Sequence, residues 1–204
     1  MLLPLWYAIL LGLGFIIFLI LIFYCIRLYP NYSIFTRTIS GLGHPDNKSA
    51  KIFNPAIIVM GILLILFPYY VFQVLPAIWL TYVGIGLFFC VPIGLILVGV
   101  FPEHKEAGHM VAAALSIGGA LLTNIFLFYP ILISDLSIIV TVTNVIVLIT
   151  CVPLAIAAQK TGSSYVPDQH VEKILHNLNF WEWTQFIVLQ TWMFTLYLNL
   201  LITY

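Results

Sequence analysis

Long apolar runs separated by short polar stretches form the main pattern along this chain of 204 residues. A helix needs roughly 20 residues to cross about 30 Å of hydrocarbon. Six runs meet that length, at residues 3–26, 53–74, 77–100, 108–129, 136–158 and 181–203. The pattern therefore predicts an all-α, polytopic membrane protein, with six transmembrane helices packed as one domain over residues 1–204.

Prolines mark where these helices end or bend. Five prolines fall between the predicted spans, where a missing backbone N–H costs little: Pro30, Pro76, Pro102, Pro130 and Pro167. Three more lie inside spans and predict local kinks: Pro68, Pro92 and Pro153. The first run has no basic segment before it and is too long for the apolar region of a signal peptide, so we interpret it as a retained first span.

The connections between spans alternate in charge. Those around Gln73–Pro76 and Pro130–Asp135 are short, whereas the other three, together with the span ends beside them, carry all seven basic residues, all five histidines and every acid except Asp135. With six spans, these three connections share one side of the membrane and both termini share the other. The positive-inside rule places the charged connections in the cytoplasm. Because acids accompany the bases, the opposite orientation stays open.

Composition agrees with a bilayer environment. Hydrophobic residues make up 63% of the chain and charged residues 7%, against about one quarter charged in soluble domains. The formal net charge of zero gives no electrostatic argument for nucleic-acid binding. Cys25, Cys90 and Cys151 lie in or beside apolar runs, where we interpret them as small buried hydrophobes.

The third charged connection carries its own helical pattern. Gly162–Ser164 is typical of a loop, and residues 167–179 place Val171, Ile174 and Leu175 at helical spacing. This predicts a short helix in the membrane interface, which would cover the polar end of the bundle or simply connect two spans.

The stretch Gly99–Met110, GVFPEHKEAGHM, concentrates the candidate chemistry. Pro102 predicts the start of the fourth helix, with Glu103 and Glu106 in its first turn, where the helix dipole favours negative charge. Glu106 and His109 are three residues apart and would share a face.

His109 also begins a polar stripe with Ser116 and Thr123, at intervals of seven residues. Polar groups within a membrane face the bundle interior or a water-filled cavity. The stripe therefore predicts that His109 points towards the centre of the bundle.

Two further segments supply polar residues to the same side. Ser40 and His44 lie in a stretch whose glycines indicate tight turns, and Asn54 before Pro55 predicts the cap of the second span. Glu182 lies between two tryptophans that we interpret as an interfacial aromatic belt. Its carboxyl group needs a partner or a proton, and His44, His109 or Lys105 could supply the partner.

Together these residues define a candidate site. The proposed catalytic residues, with His109 as acid, base or ligand and Glu182 orienting it, are His109, Glu106, Glu182, His44 and Ser40. The candidate ligands for a divalent metal such as zinc or iron are His44, His104, Glu106 and His109. The sequence requires no cofactor: it has no HExxH motif, phosphate-binding loop or dinucleotide fingerprint.

Three segments carry a resemblance to known families. TRTISGLGHPDNKSAKIFNP and, further along the chain, VGVFPEHKEAGHMVAAALS resemble the prokaryotic membrane family called domain of unknown function 998. The similarity lies in Ser40–Gly43, Phe53–Asn54, Phe101–Pro102 and His109. The late FWEWTQFIVL is more distantly similar to FRAG/DRAM/SFK-type multi-pass membrane proteins. The resemblance implies about six spans and, for the second group, a link to lipid remodelling and membrane trafficking.

Two functional hypotheses of different class follow. In the first, the polar His/Glu cap binds or modifies membrane lipids in a pocket open to their headgroups. In the second, the protein is a non-enzymatic membrane scaffold or an accessory subunit that binds other membrane proteins. A transporter ranks third, because broken helices in matched halves are not evident.

Overall fold

A computed structural model of the chain describes residues 3–161 and 174–203, and at residues 160–161 the backbone alone. Its α-helices are α1 (Leu5–Leu28), α2 (Ala50–Leu64), α3 (Phe67–Phe72), α4 (Trp79–Phe88), α5 (Cys90–Val100), α6 (Glu106–Ala113), α7 (Gly119–Leu132), α8 (Ile138–Thr161) and α9 (Leu178–Thr203). Helices and turns account for the described residues, with no strand among them. The all-α prediction is confirmed.

Within the described ranges, six continuous helical segments are long and apolar enough to cross a membrane. They are Leu5–Leu28, Ala50–Phe72, Trp79–Val100, Glu106–Leu132, Ile138–Gln159 and Leu178–Thr203. Each overlaps one predicted span, with ends shifted by only a few residues. The protein is therefore a multi-pass membrane protein.

Two of the three internal prolines coincide with a break in the helix. The second span divides into α2 and α3 just before Pro68, and the third divides into α4 and α5 just before Pro92. A proline lacks the N–H that would continue the helix and crowds the preceding turn. Pro153 differs, because α8 runs through it as one helix.

The first two spans pack antiparallel, and two hydrogen bonds fix their register. At the end nearest the charged connections, the Cys25 thiol donates to the carbonyl oxygen of Ser49 at 3.7 Å. At the opposite end, the Tyr7 hydroxyl donates to the carbonyl oxygen of Leu63 at 2.8 Å. The Tyr197 hydroxyl in α9 donates to the carbonyl oxygen of Ala8 at 2.9 Å, so the last span is bonded to the first.

Side-chain hydrogen bonds also join the last three spans. The Asn144 amide in α8 donates to Asn124 Oδ1 in α7 at 2.8 Å, and both residues are fully buried. The Thr143 and Thr195 hydroxyls lie 3.1 Å apart between α8 and α9. Each such bond within a membrane is worth about 0.6 kcal/mol and rarely above about 1.7 kcal/mol. Together they hold α7, α8 and α9 side by side.

Three local expectations are corrected. The second span begins at Ala50, so Asn54 is not its cap and Pro55 lies inside α2; the Asn54 amide donates instead to the Gly43 carbonyl oxygen at 3.0 Å. The fourth span begins at Glu106 rather than Pro102, which leaves Glu103 outside the helix.

The third correction concerns the aromatic belt. Trp183 is 5% exposed, so it belongs to the core and does not face the membrane interface. The predicted interfacial helix lies largely outside the described residues: 167–173 are not described, and Ile174–His176 form a 3-10 turn before α9.

Close helix contacts depend on glycine at specific positions. A Cβ atom added to Gly94 in α5 would lie 2.7 Å from the Ser116 Cα atom, which is backbone and cannot move aside. A Cβ atom added to Gly86 in α4 would meet nothing within 4 Å. The backbone of α5 therefore touches the backbone after α6 only because residue 94 has no side chain.

The two glycines predict opposite responses to the same substitution. Gly94→Ala should destabilise the protein by about 1–3 kcal/mol, because the helices must separate to admit the methyl group. Gly86→Ala should be neutral or slightly stabilising, since alanine favours a helix by up to about 1 kcal/mol over glycine. The midpoint of thermal unfolding in detergent measures both, and an equal loss in the two variants would contradict the packing described here.

Candidate functional site

A cavity of about 100 Å³ lies within the bundle, between α1, α2, α5, α6 and α9. Most of its wall is hydrocarbon. The polar residues that line it are Ser40, His109, Ser116, Glu182, Gln185 and Gln190. Cavities with apolar walls and a few convergent polar groups are the usual form of a small-molecule binding site.

His109 is held by Phe101, the residue that follows α5. Its Nδ1 atom lies 2.9 Å from the Phe101 carbonyl oxygen. A carbonyl oxygen can only accept a hydrogen bond, so Nδ1 carries the proton in this contact. In the neutral ring, Nε2 then has a free lone pair and can accept a proton or a hydrogen bond. His109 is therefore oriented as a base in a cavity with apolar walls.

Glu182 enters the cavity from the first turns of α9 and is partly buried. The backbone N–H groups of Ile39 and Ser40 interact with its carboxyl group, while Glu103 is close enough to repel its negative charge. The basic partners expected for Glu182 are occupied elsewhere or form no bond with it. The Lys105 ammonium donates to the Val100 carbonyl oxygen at 3.5 Å.

Gln185 contributes a hydrogen-bond donor that has no acceptor. Its Oε1 accepts a bond of 2.8 Å from the Thr150 hydroxyl, which fixes the amide and leaves Nε2 without a hydrogen-bond partner. The nearby Cys151 thiol is a weak acceptor at best. Gln185 is 1% exposed, and a buried donor without an acceptor costs about 1–3 kcal/mol. A ligand with an acceptor atom would remove that cost.

Thr38 links the connections that cover this cavity. Its hydroxyl donates to Glu103 Oε1 at 3.0 Å and accepts from the Gly41 backbone N–H at 3.0 Å. Its carbonyl oxygen accepts from the Tyr32 hydroxyl at 2.8 Å, and that hydroxyl accepts from Trp183 Nε1 at 2.7 Å. Hydrogen bonds centred on Thr38 thus join the first connection to the second and to α9.

The structure brings together only some of the candidate residues from the sequence. Ser40, His109 and Glu182 line one cavity. Glu106 is exposed and does not line it. His44 lies outside the cavity, with its Nδ1 atom 3.5 Å from Asp46 Oδ2 and its ring centroid 6.0 Å from that of His104.

The four candidate metal ligands do not converge. In residues 3–161 and 174–203, no group of three or more histidine, cysteine, aspartate or glutamate side chains is arranged to hold a metal ion. The proposed ligand set of His44, His104, Glu106 and His109 is therefore divided between the cavity wall and the exposed connections. The arrangement favours hydrogen-bond chemistry at the cavity.

A π-helical turn interrupts the polar stripe. Residues Ala114–Gly118 form this turn between α6 and α7, and Ser116 within it lines the cavity. The wider turn shifts the register of the residues that follow. Thr123 consequently lies away from the cavity, fully buried, with its hydroxyl donating to the Gly119 carbonyl oxygen at 2.7 Å.

Comparison with known proteins identifies the family. The family model described as "Protein of unknown function (DUF998)" matches residues 13–199, nearly the whole chain. The chain belongs to the DUF998 family. No curated protein and no solved structure matches it. Membership in DUF998 agrees with the multi-pass helical fold, and the matched range includes every residue of the cavity.

Three site residues of this DUF998 protein did not emerge from the sequence: Glu103, Gln185 and Gln190. The sequence could have predicted Gln185 as a site residue, because it follows Glu182 by three residues and so shares its helix face. Glu103 was assigned to the first turn of a helix, whereas its actual role depends on a hydrogen bond with Thr38, 65 residues earlier.

Thr38→Val should loosen the cover of the cavity. Losing the hydroxyl removes two hydrogen bonds and leaves Glu103 Oε1 without that donor, at a cost of about 1–3 kcal/mol. Hydrogen–deuterium exchange at Gly41 should speed up by at least tenfold, because its N–H loses its acceptor. Thr36→Val is the matched control, since the Thr36 hydroxyl forms only a 3.5 Å bond with the Ser33 carbonyl oxygen. Equal exchange in both variants would contradict this role for Thr38.

Proposed function

We propose that this DUF998 protein handles membrane lipids, and that its cavity binds the polar end of a neutral lipid through a hydroxyl group. The observation that carries the proposal is the grouping of a base, an acid and a donor without a partner in one apolar cavity. Water would satisfy these groups less well than an amphipathic ligand, because the rest of the wall is hydrocarbon.

The charge of the cavity favours a neutral ligand over an anionic one. Glu182 lines it and Glu103 lies nearby, whereas no lysine or arginine is among its described lining residues. A phosphate group would meet acidic side chains and no cation in a medium of low dielectric constant, where its negative charge would stay unpaired. A hydroxyl group has no such penalty and both donates and accepts hydrogen bonds.

A hydroxyl group can both accept and donate a hydrogen bond, and the polar groups of the cavity can use both. The Gln185 amide needs an acceptor, and the hydroxyl oxygen supplies one. His109 Nε2 needs a donor, and the hydroxyl proton supplies one. In this contact His109 Nε2 accepts the hydrogen bond of the lipid hydroxyl, and Glu182 lines the same cavity. No cofactor is part of this proposal.

The proposed orientation indicates the leaflet from which the lipid comes. The charged connections lie beside the cavity, and the positive-inside rule assigns them to the cytoplasmic side. Ser40 belongs to the first of these connections and lines the cavity directly. We therefore propose that lipid hydroxyl groups reach the site from the cytoplasmic leaflet of the cell membrane.

A binding experiment tests the proposal with matched controls. Native mass spectrometry of the protein in mild detergent should detect bound diolein, and phosphatidate with the same chains should bind at least tenfold more weakly. Gln185→Leu and His109→Ala should each weaken diolein binding by about tenfold, the effect of one lost buried hydrogen bond. His104→Ala should change nothing, because His104 is exposed and lies outside the cavity.

Two outcomes would overturn the proposal. Equal binding of phosphatidate and diolein would contradict the charge argument. Equal behaviour of His109→Ala and His104→Ala would remove the histidine from the site.

A structural role is the second candidate, and the hydrogen bonds between α7, α8 and α9 favour it because they require no ligand. In a non-enzymatic scaffold or accessory subunit, His109 would serve stability alone. His109→Ala would then lower the yield of folded protein, and the protein that remains folded would bind no lipid at the cavity before or after the substitution.

A further inference from the structure

A second hollow lies on the outer face of the bundle, between α1 and α2. Its volume is about 570 Å³, and its walls run from Leu10 to Leu21 on α1 and from Lys51 to Leu63 on α2. Every lining residue except Lys51 is apolar. Phe18 lines both this groove and the cavity, so its ring separates the two spaces.

The length of the groove matches one leaflet of a bilayer. From Lys51 to Leu63 the helix rises about 18 Å at 1.5 Å per residue. Half of a hydrocarbon core of about 30 Å is roughly 15 Å. An acyl chain of one leaflet therefore fits along the groove, and its headgroup would lie at the end marked by Lys51.

Positive charge gathers at that end. Lys51 is exposed, and within the described residues it forms no ion pair. The contact between Cys25 and Ser49 places the last turn of α1, which contains Arg27, beside the start of α2. Basic residues at a membrane surface attract anionic headgroups.

We propose that the groove between α1 and α2 binds one anionic phospholipid, with its phosphate on Lys51 and an acyl chain along the apolar walls. The site differs from the cavity in its charge, because the groove has a cation and the described lining of the cavity has an acidic side chain but no lysine or arginine. We therefore expect the cavity to select neutral lipids and the groove to select anionic lipids.

A matched pair of variants tests whether Lys51 binds the lipid headgroup. Native mass spectrometry in mild detergent should show one dioleoyl phosphatidylglycerol bound in preference to dioleoyl phosphatidylcholine. Lys51→Gln should reduce that preference by about fivefold, the effect of one basic residue at a lipid surface. Lys48→Gln removes the same charge three residues earlier, outside the groove, and should leave the preference within about twofold of the wild type.

A second matched pair of variants tests the position of the acyl chain. Val59 and Ile62 lie on the same helix and are 54% and 56% exposed, but only Val59 lines the groove. Val59→Phe should fill the groove and reduce binding of both phospholipids, whereas Ile62→Phe should not. Neither variant touches a buried core residue, so both are expected to fold.

The outcomes separate this site from the cavity. Lys51→Gln should leave diolein binding intact, and His109→Ala should leave phosphatidylglycerol binding intact. Equal retention of the two phospholipids by the wild type, or equal effects of Lys51→Gln and Lys48→Gln, would overturn the proposal. A dimer without bound lipid that Val59→Phe dissociates would identify a second copy of the chain as the occupant and would also overturn it.

Discussion

The absence of water inside the bilayer is the constraint on which this structure depends, because each polar group must find a partner within the protein. Thr38 meets that demand for the cover of the cavity. Its hydroxyl bonds to Glu103 and Gly41, and its carbonyl oxygen bonds to Tyr32. The bond from Trp183 to Tyr32 extends the same network to the last span. Without these bonds, the first connection would lose its link to Glu103 and one of its links to α9.

The same constraint explains why the cavity is chemically distinct. Most buried polar side chains in the spans are satisfied by a neighbour, as Asn124 and Thr143 are. Gln185 is an exception beside the cavity, where its Nε2 atom has no acceptor. A donor without an acceptor, an oriented imidazole and a carboxylate around one small apolar space are the features from which we infer a neutral, hydroxyl-bearing ligand. Lys51, on the outer face of the bundle, is the cation to which we assign the phosphate of an anionic phospholipid.

Hydropathy and length were sufficient to predict the six spans, since hydrocarbon thickness fixes the length that a helix needs. The convergence of His109 and Glu182 on the bundle interior was also predictable, because polar groups in a membrane avoid lipid. Regular helical spacing misplaces Thr123, because a π turn lies between it and His109. Glu106 lies in the exposed first turn of α6 and does not line the cavity. Contacts such as Thr38 with Glu103 depend on tertiary packing between distant segments and leave no periodic signal.

The protonation state of His109 is the most direct test of whether the cavity binds a lipid hydroxyl group. Nitrogen-15 NMR of histidine-labelled protein, assigned with the His109→Ala variant, distinguishes the two ring nitrogens. We expect a proton on Nδ1, bonded to the Phe101 carbonyl oxygen, and an Nε2 resonance without a proton that shifts when diolein is added but not when phosphatidate is added. A proton fixed on Nε2 instead, or a resonance that does not respond to diolein, would contradict the assignment of His109 as the base of a lipid-binding cavity.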